Sequence, residues 1–163
     1  NKLLIKITFD FLFMIDFKAQ LIHSVKTQLT EKLDSLQKMI HELSESSNNE
    51  TKSSVGDKHE TAKAMMQLEQ EKMGNQLKDI EHQLKDFNSI VFQETYLSIT
   101  NGCLIDTNKG LFFIATALGK IELQSKLIYV ISNKSPLGLN LLGAKIKDAV
   151  DFNGIQYIIK TIN

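Results

Sequence analysis

The chain is expected to fold as an α+β protein, with an N-terminal antiparallel coiled-coil hairpin followed by a small β-rich domain. Three observations predict this. Apolar residues recur at threes and fours from Phe17 to Leu43, and again from Ala62 to Phe87. A Ser/Asn-rich stretch over residues 44–57 separates the two runs. Beyond Asn88 the chain changes to short segments rich in β-branched and aromatic residues, bounded by turn residues.

In the first run Ile22, Val25, Leu29, Leu33, Leu36, Ile40 and Leu43 form one stripe of a helix. In the second, Ala62, Met66, Met73, Leu77, Ile80, Leu84 and Phe87 do the same. Glu69 and Gln70 stand where that stripe should continue, so the seam weakens toward the loop. Gly74 inside the helix costs about 1 kcal/mol relative to alanine. Two helices with one sticky face each, joined by a single loop, can bury those faces against each other. At 1.5 Å per residue the arm is roughly 45 Å long. An intramolecular hairpin predicts a monomer; a coil that dimerises between chains is the alternative.

Residues 90–163 read as a compact α+β unit of about five strands. The candidate strands are Val91–Ile99, Leu104–Thr107, Gly110–Ala117, Lys126–Ile131 and Gln156–Ile162. Asn101-Gly102, Asn108-Lys109-Gly110 and Asn153-Gly154 are hairpin signals. Ser135–Ala149 suggests a short helix or turn after a proline.

Charge narrows the function. Nineteen basic and nineteen acidic residues cancel, so no net field draws the chain to nucleic acid or an anionic membrane. That points to a protein partner. The single Cys103 excludes an internal disulfide framework and fits a reducing cytoplasm. His23, His41, His59 and His82 lack ligand spacing, which argues against a zinc site.

At the start, Ile5, Ile7, Phe9, Phe11 and Phe13 alternate as in a strand. The stretch is too short for a bilayer, is broken by Lys6 and Asp10, and shows no signal-peptide cleavage site. Residues 1–13 therefore read as an extension upstream of Met14 or as an edge strand. The resulting division is 1–13, a hairpin over 14–89 with its tip near 44–60, and a second domain over 90–163.

Asp57 and Glu60 are the candidate chemistry-bearing pair. At i,i+3 on a helix start, both carboxylates can face one ion. The same pattern is a capping box, in which they serve backbone N–H groups instead. Both readings stand on the residues alone. Lys58, His59 and Lys63 read as a solvated face, and Met65, Met66 and Met73 as core filler.

Several blocks together resemble one family. They are Ser135-Pro136-Leu137-Gly138, Leu141-Leu142-Gly143, Lys147-Asp148 and the final Tyr157-Ile158-Ile159. With them go Gly56-Asp57, Glu60, Ala62 and Lys78-Asp79-Ile80-Glu81 in the second helix. Over about residues 17–162 the chain resembles the Gre (GreA/GreB-like) transcript-cleavage factors, the hairpin preceding the β domain as in that family. The resemblance implies an FKBP-like fold for the second domain and RNA polymerase as the partner. It implies that Ser135, Pro136, Leu137 and Gly138 support docking, and that the hairpin enters the polymerase's secondary channel. Asp57 and Glu60 would then help hold a second Mg²⁺ in the polymerase's own site. The polymerase would cut backtracked RNA itself, with the RNA 3′ end contacted only indirectly. On that reading the chain is a cytoplasmic monomer, not an enzyme, with no cofactor of its own and no membrane. The sequence departs from the family at Thr61-Ala62-Lys63-Ala64, where Asn-Ala-Glu-Tyr is common, and at Lys147, where glycine is common. Ala144 and Lys145 after Gly143 differ too. These departures keep two alternatives open: a non-cleaving channel regulator and a structural coiled-coil adaptor.

Overall fold

The computed structural model describes the backbone over residues 2–50 and 57–163, and side chains over 14–46 and 60–163. Helix α1 spans Lys2–Glu50 and α2 spans Asp57–Asn88. Then follow β1 (Leu104–Thr107), β2 (Gly110–Ile114), β3 (Gly119–Leu123), β4 (Lys126–Ile131), α3 (Pro136–Leu141), β5 (Ala149–Phe152) and β6 (Ile155–Ile162). The expected class, a helical hairpin followed by a β-rich domain, is the one observed. Among the described residues no helix is long and apolar enough to cross a membrane.

The chain forms two compact units: Thr27–Lys85, and Asn1–Lys26 together with Asp86–Asn163. In the first, Leu33, Leu36, Ile40 and Leu43 are half-buried while the residues between them are exposed. Met66, Met73, Leu77, Ile80 and Leu84 form the matching stripe on α2. Lys32, Leu36 and Met39 of α1 share one shallow cavity with Asp79 and Ile80 of α2, so the helices lie side by side there. Glu69 and Gln70 are half-buried too, which puts polar atoms into the seam.

The second unit is organised by a six-stranded sheet in the order β3-β4-β2-β1-β6-β5. Only β2 and β4 pair in parallel, with Phe112 opposite Tyr129. The remaining neighbours are antiparallel. Ile99, Cys103, Ile105, Phe112, Ile114, Leu141, Tyr157, Ile159 and Ile162 form the core on which α3 sits. Phe112 stacks on Tyr129 at 5.1 Å and meets Tyr157 edge-on at 5.7 Å, arrangements that aromatic quadrupoles favour. From α1, Phe17, Leu21 and Val25, four residues apart and so on one face, are buried in this unit.

Three expectations are corrected. Residues 2–13 are helix continuous with α1, not an edge strand. Phe9, Phe13 and Phe17 are also four apart, so a run this apolar carries the helical period as well as the strand one. The side chains of 1–13 lie outside the described residues, as does most of the tip near 44–60. Val91–Ile99 forms no strand. Its apolar side chains anchor an irregular segment instead: Phe92 lies 5.7 Å from Phe87 and 6.1 Å from Phe113. The Tyr96 hydroxyl accepts from the Gln93 amide at 2.9 Å and donates to the Gly102 carbonyl at 3.2 Å. Finally, the sheet gains β3 and β5, neither of which was expected.

Candidate functional site

Helix α2 begins at Asp57, so Asp57 and Glu60 occupy its first turn. The Asp57 side chain lies outside the described residues. Glu60 is exposed, and no side chain among the described residues engages its carboxylate. Carboxylate oxygen is a hard donor of the kind Mg²⁺ takes. Thr61, Lys63 and Ala64 are exposed and Ala62 is half-buried at the seam. Among the described residues no three His, Cys, Asp or Glu side chains gather into a metal cluster.

The Ser135–Gly143 block is one built structure. Ser135 caps α3: its Oγ accepts from the Gly138 amide at 3.1 Å and donates to the Ser132 carbonyl at 2.7 Å. Pro136 stands in the first helical turn, where its missing N–H costs nothing. Leu137 packs half-buried against the core and Gly138 is buried. Gly143 ends the block at φ +82°, the left-handed region that glycine enters without strain. Its amide donates to the Ile99 carbonyl at 2.8 Å, and the Ile99 amide donates to Ala144 at 2.8 Å. The Asp148 carboxylate accepts from the Lys145 amide at 2.8 Å, and Lys147 and Asp148 bond through their backbones to Ile159 of β6.

Of the four residues expected to support docking, Ser135, Leu137 and Gly138 are thus occupied in shaping the block, and Pro136 is exposed. The large apolar side chains left exposed here are Leu139, Leu142 and Ile146, at 59%, 36% and 49%. Sequence reasoning did not single these out individually. Leu139 and Leu142 are three apart with the buried Leu141 between them, a spacing that marks them as the outer face.

Cys103 is fully buried, and burial raises its thiol above the ordinary range, so a reactive thiolate is not favoured there.

No family model and no curated protein matches the chain. Among solved structures it is similar to the transcription factor Gfh1, at 16% identity and a TM-score of 0.36, covering 84% of this chain and 92% of that one. It is similar to the GreA factor homolog 1 (Gfh1) protein of Thermus thermophilus, at 14% identity and a TM-score of 0.35, covering 85% and 94%. It is likewise similar to Thermus aquaticus Gfh1, at 18% identity and a TM-score of 0.31, covering 90% and 94%.

Proposed function

We propose that the chain is a Gre-like factor that binds RNA polymerase, enters its secondary channel and stimulates the polymerase's own cleavage of backtracked RNA. The observation that carries this reading is the start of α2 at Asp57, which sets the Asp57/Glu60 pair in the first turn of a two-helix arm. The reading is supported by the resemblance of the Ser135–Gly143 and Asp57–Ala62 blocks to the Gre family. In two-metal hydrolysis the second ion activates water and stabilises charge on the phosphate. Asp57 and Glu60 would hold that ion from the arm's side, with the metal and the remaining ligands belonging to the polymerase. Leu139, Leu142 and Ile146 would supply apolar docking area on the β domain.

A second reading, a channel binder that regulates without cleavage, is favoured by Lys63, an exposed cation where the family carries an acid. The two part in one experiment. A backtracked elongation complex is mixed with wild-type protein or with Asp57→Ala/Glu60→Ala, and RNA length is followed. Shortening by wild type alone supports cleavage through the two carboxylates. Binding of both proteins with no shortening favours the regulator. Absence of binding overturns the polymerase reading and leaves the adaptor.

A further inference from the structure

Lys18 on α1 is only 6% exposed, yet among the described residues it has no carboxylate within ion-pair distance. Its Nζ donates to the Gln93 carbonyl at 3.0 Å and lies 4.3 Å from the centre of the Tyr96 ring. A carbonyl and a ring face stabilise an ammonium, but neither brings the opposite charge that a buried ion calls for. A cavity of about 180 Å³ opens beside it, with Lys18, Gln93 and Asn163 as polar lining and Met14, Ile15, Ala19, Ile22 and Phe92 as apolar walls. Glu94 also lines it and is itself exposed.

We propose that this cavity binds a small monocarboxylate with an apolar body, its carboxylate pairing with the Lys18 ammonium and its body lying against Ile15, Ala19, Ile22 and Phe92. Three features set that chemical class. An amine with no carboxylate within ion-pair distance among the described residues selects an anion. The apolar walls favour a carbon skeleton over an inorganic ion. Glu94 repels a second negative charge, which disfavours dicarboxylates and phosphates. The site is independent of the polymerase reading and stands or falls without it.

Benzoate is the probe, with benzamide as its neutral counterpart, titrated into the full chain while backbone amide signals are followed. The expected result is saturable shifts at Ala19, Ile22 and Phe92, with benzamide at least about tenfold weaker. Lys18→Met should weaken benzoate by about tenfold or more with the fold intact by its amide spectrum. Ala19→Leu, at an exposed helical position, should fill the cavity and abolish binding while leaving the amine in place. Burial lowers the Lys18 pKa to about 8. Benzoate affinity should therefore fall above that pH, by roughly tenfold for each further unit. Tyr96 and Cys103, which face the amine, are both raised by burial, so they stay neutral as Lys18 titrates; Glu94 and the carboxylate end of Asn163 are the acidic groups of the wall. Absence of saturable shifts, equal binding by Lys18→Met, or equal binding of benzamide overturns the proposal.

Discussion

Gly138 packs so closely on the carbonyl oxygen of Ser132 that a β-carbon there would collide with backbone. The same oxygen accepts from the Ser135 hydroxyl, which in turn caps α3. Neither the carbonyl nor the cap can yield alone. Gly138→Ala is expected to cost about 3 kcal/mol through overpacking. The midpoint of urea unfolding should fall at unchanged slope, and an unchanged midpoint would mean that the block gives way freely.

Lys147 has φ +78° at a position where the resembling family commonly has glycine. Its amide nevertheless bonds Ile159 at 2.8 Å, so the conformation is held by the sheet. A left-handed non-glycine residue costs about 1–2 kcal/mol. Glycine relieves that but loses about 0.5–1 kcal/mol in chain entropy. Lys147→Gly should therefore stabilise by about 0.5–1 kcal/mol, whereas Lys147→Val should destabilise, since a β-branched side chain tolerates positive φ worst. Equal stabilities for the two variants would contradict this account.

The same backbone logic explains what was legible in the sequence. β1 and β4 occupy the expected residues, because their apolar runs end in recognisable turns. The Asn153-Gly154 turn was legible too, with φ +51° and +76°. β3 was hidden because its hairpin to β4 turns on Gln124 and Ser125, at φ +49° and +60°, residue types that seldom advertise such a turn. β5 has no buried residue and two half-buried ones, so its alternation is faint. Val91–Ile99 misled for the opposite reason: Phe92 and Tyr96 are apolar for packing, and no strand pairs with them. The stripe from Ile22 to Leu43 marks a helix, but periodicity cannot say that Phe17, Leu21 and Val25 are buried in one compact unit while Leu33–Leu43 lies in another. At the site, Asp57 and Glu60 were visible as a spacing, while Leu139, Leu142 and Ile146 needed the burial pattern to separate them from the core leucines.

Along the arm, Gln70 holds the seam position between Met66 and Met73 and is half-buried. Gln70→Leu should add apolar burial worth about 1 kcal/mol. At Gly74 a β-carbon would meet nothing within 4 Å, so the position should accept alanine and gain about 0.5–1 kcal/mol of helix propensity. Thermal unfolding followed by helical circular dichroism measures both. Loss of stability in Gly74→Ala would mean that the glycine serves an approach between helices.

Lys18 also sets a pH signature of stability. Its ordinary value is 10.5, and burial lowers it to about 8 in the folded chain. Between those values the unfolded chain holds the proton more strongly, so this residue makes stability rise with pH across that window. Cys103 and Tyr96 act in the other direction. Burial raises both, so the folded chain keeps their protons longer and stability falls above about 9 for the thiol and about 10 for the phenol. Wild type should therefore gain stability from about pH 8 to 9 before the opposing groups take hold. Lys18→Met should lose that rise and keep the later decline. Urea midpoints for both proteins, taken in half-unit steps of pH, give the difference directly. A difference that stays flat from about pH 7 to 10.5 would show that the buried amine titrates in the folded chain as it does in the unfolded one.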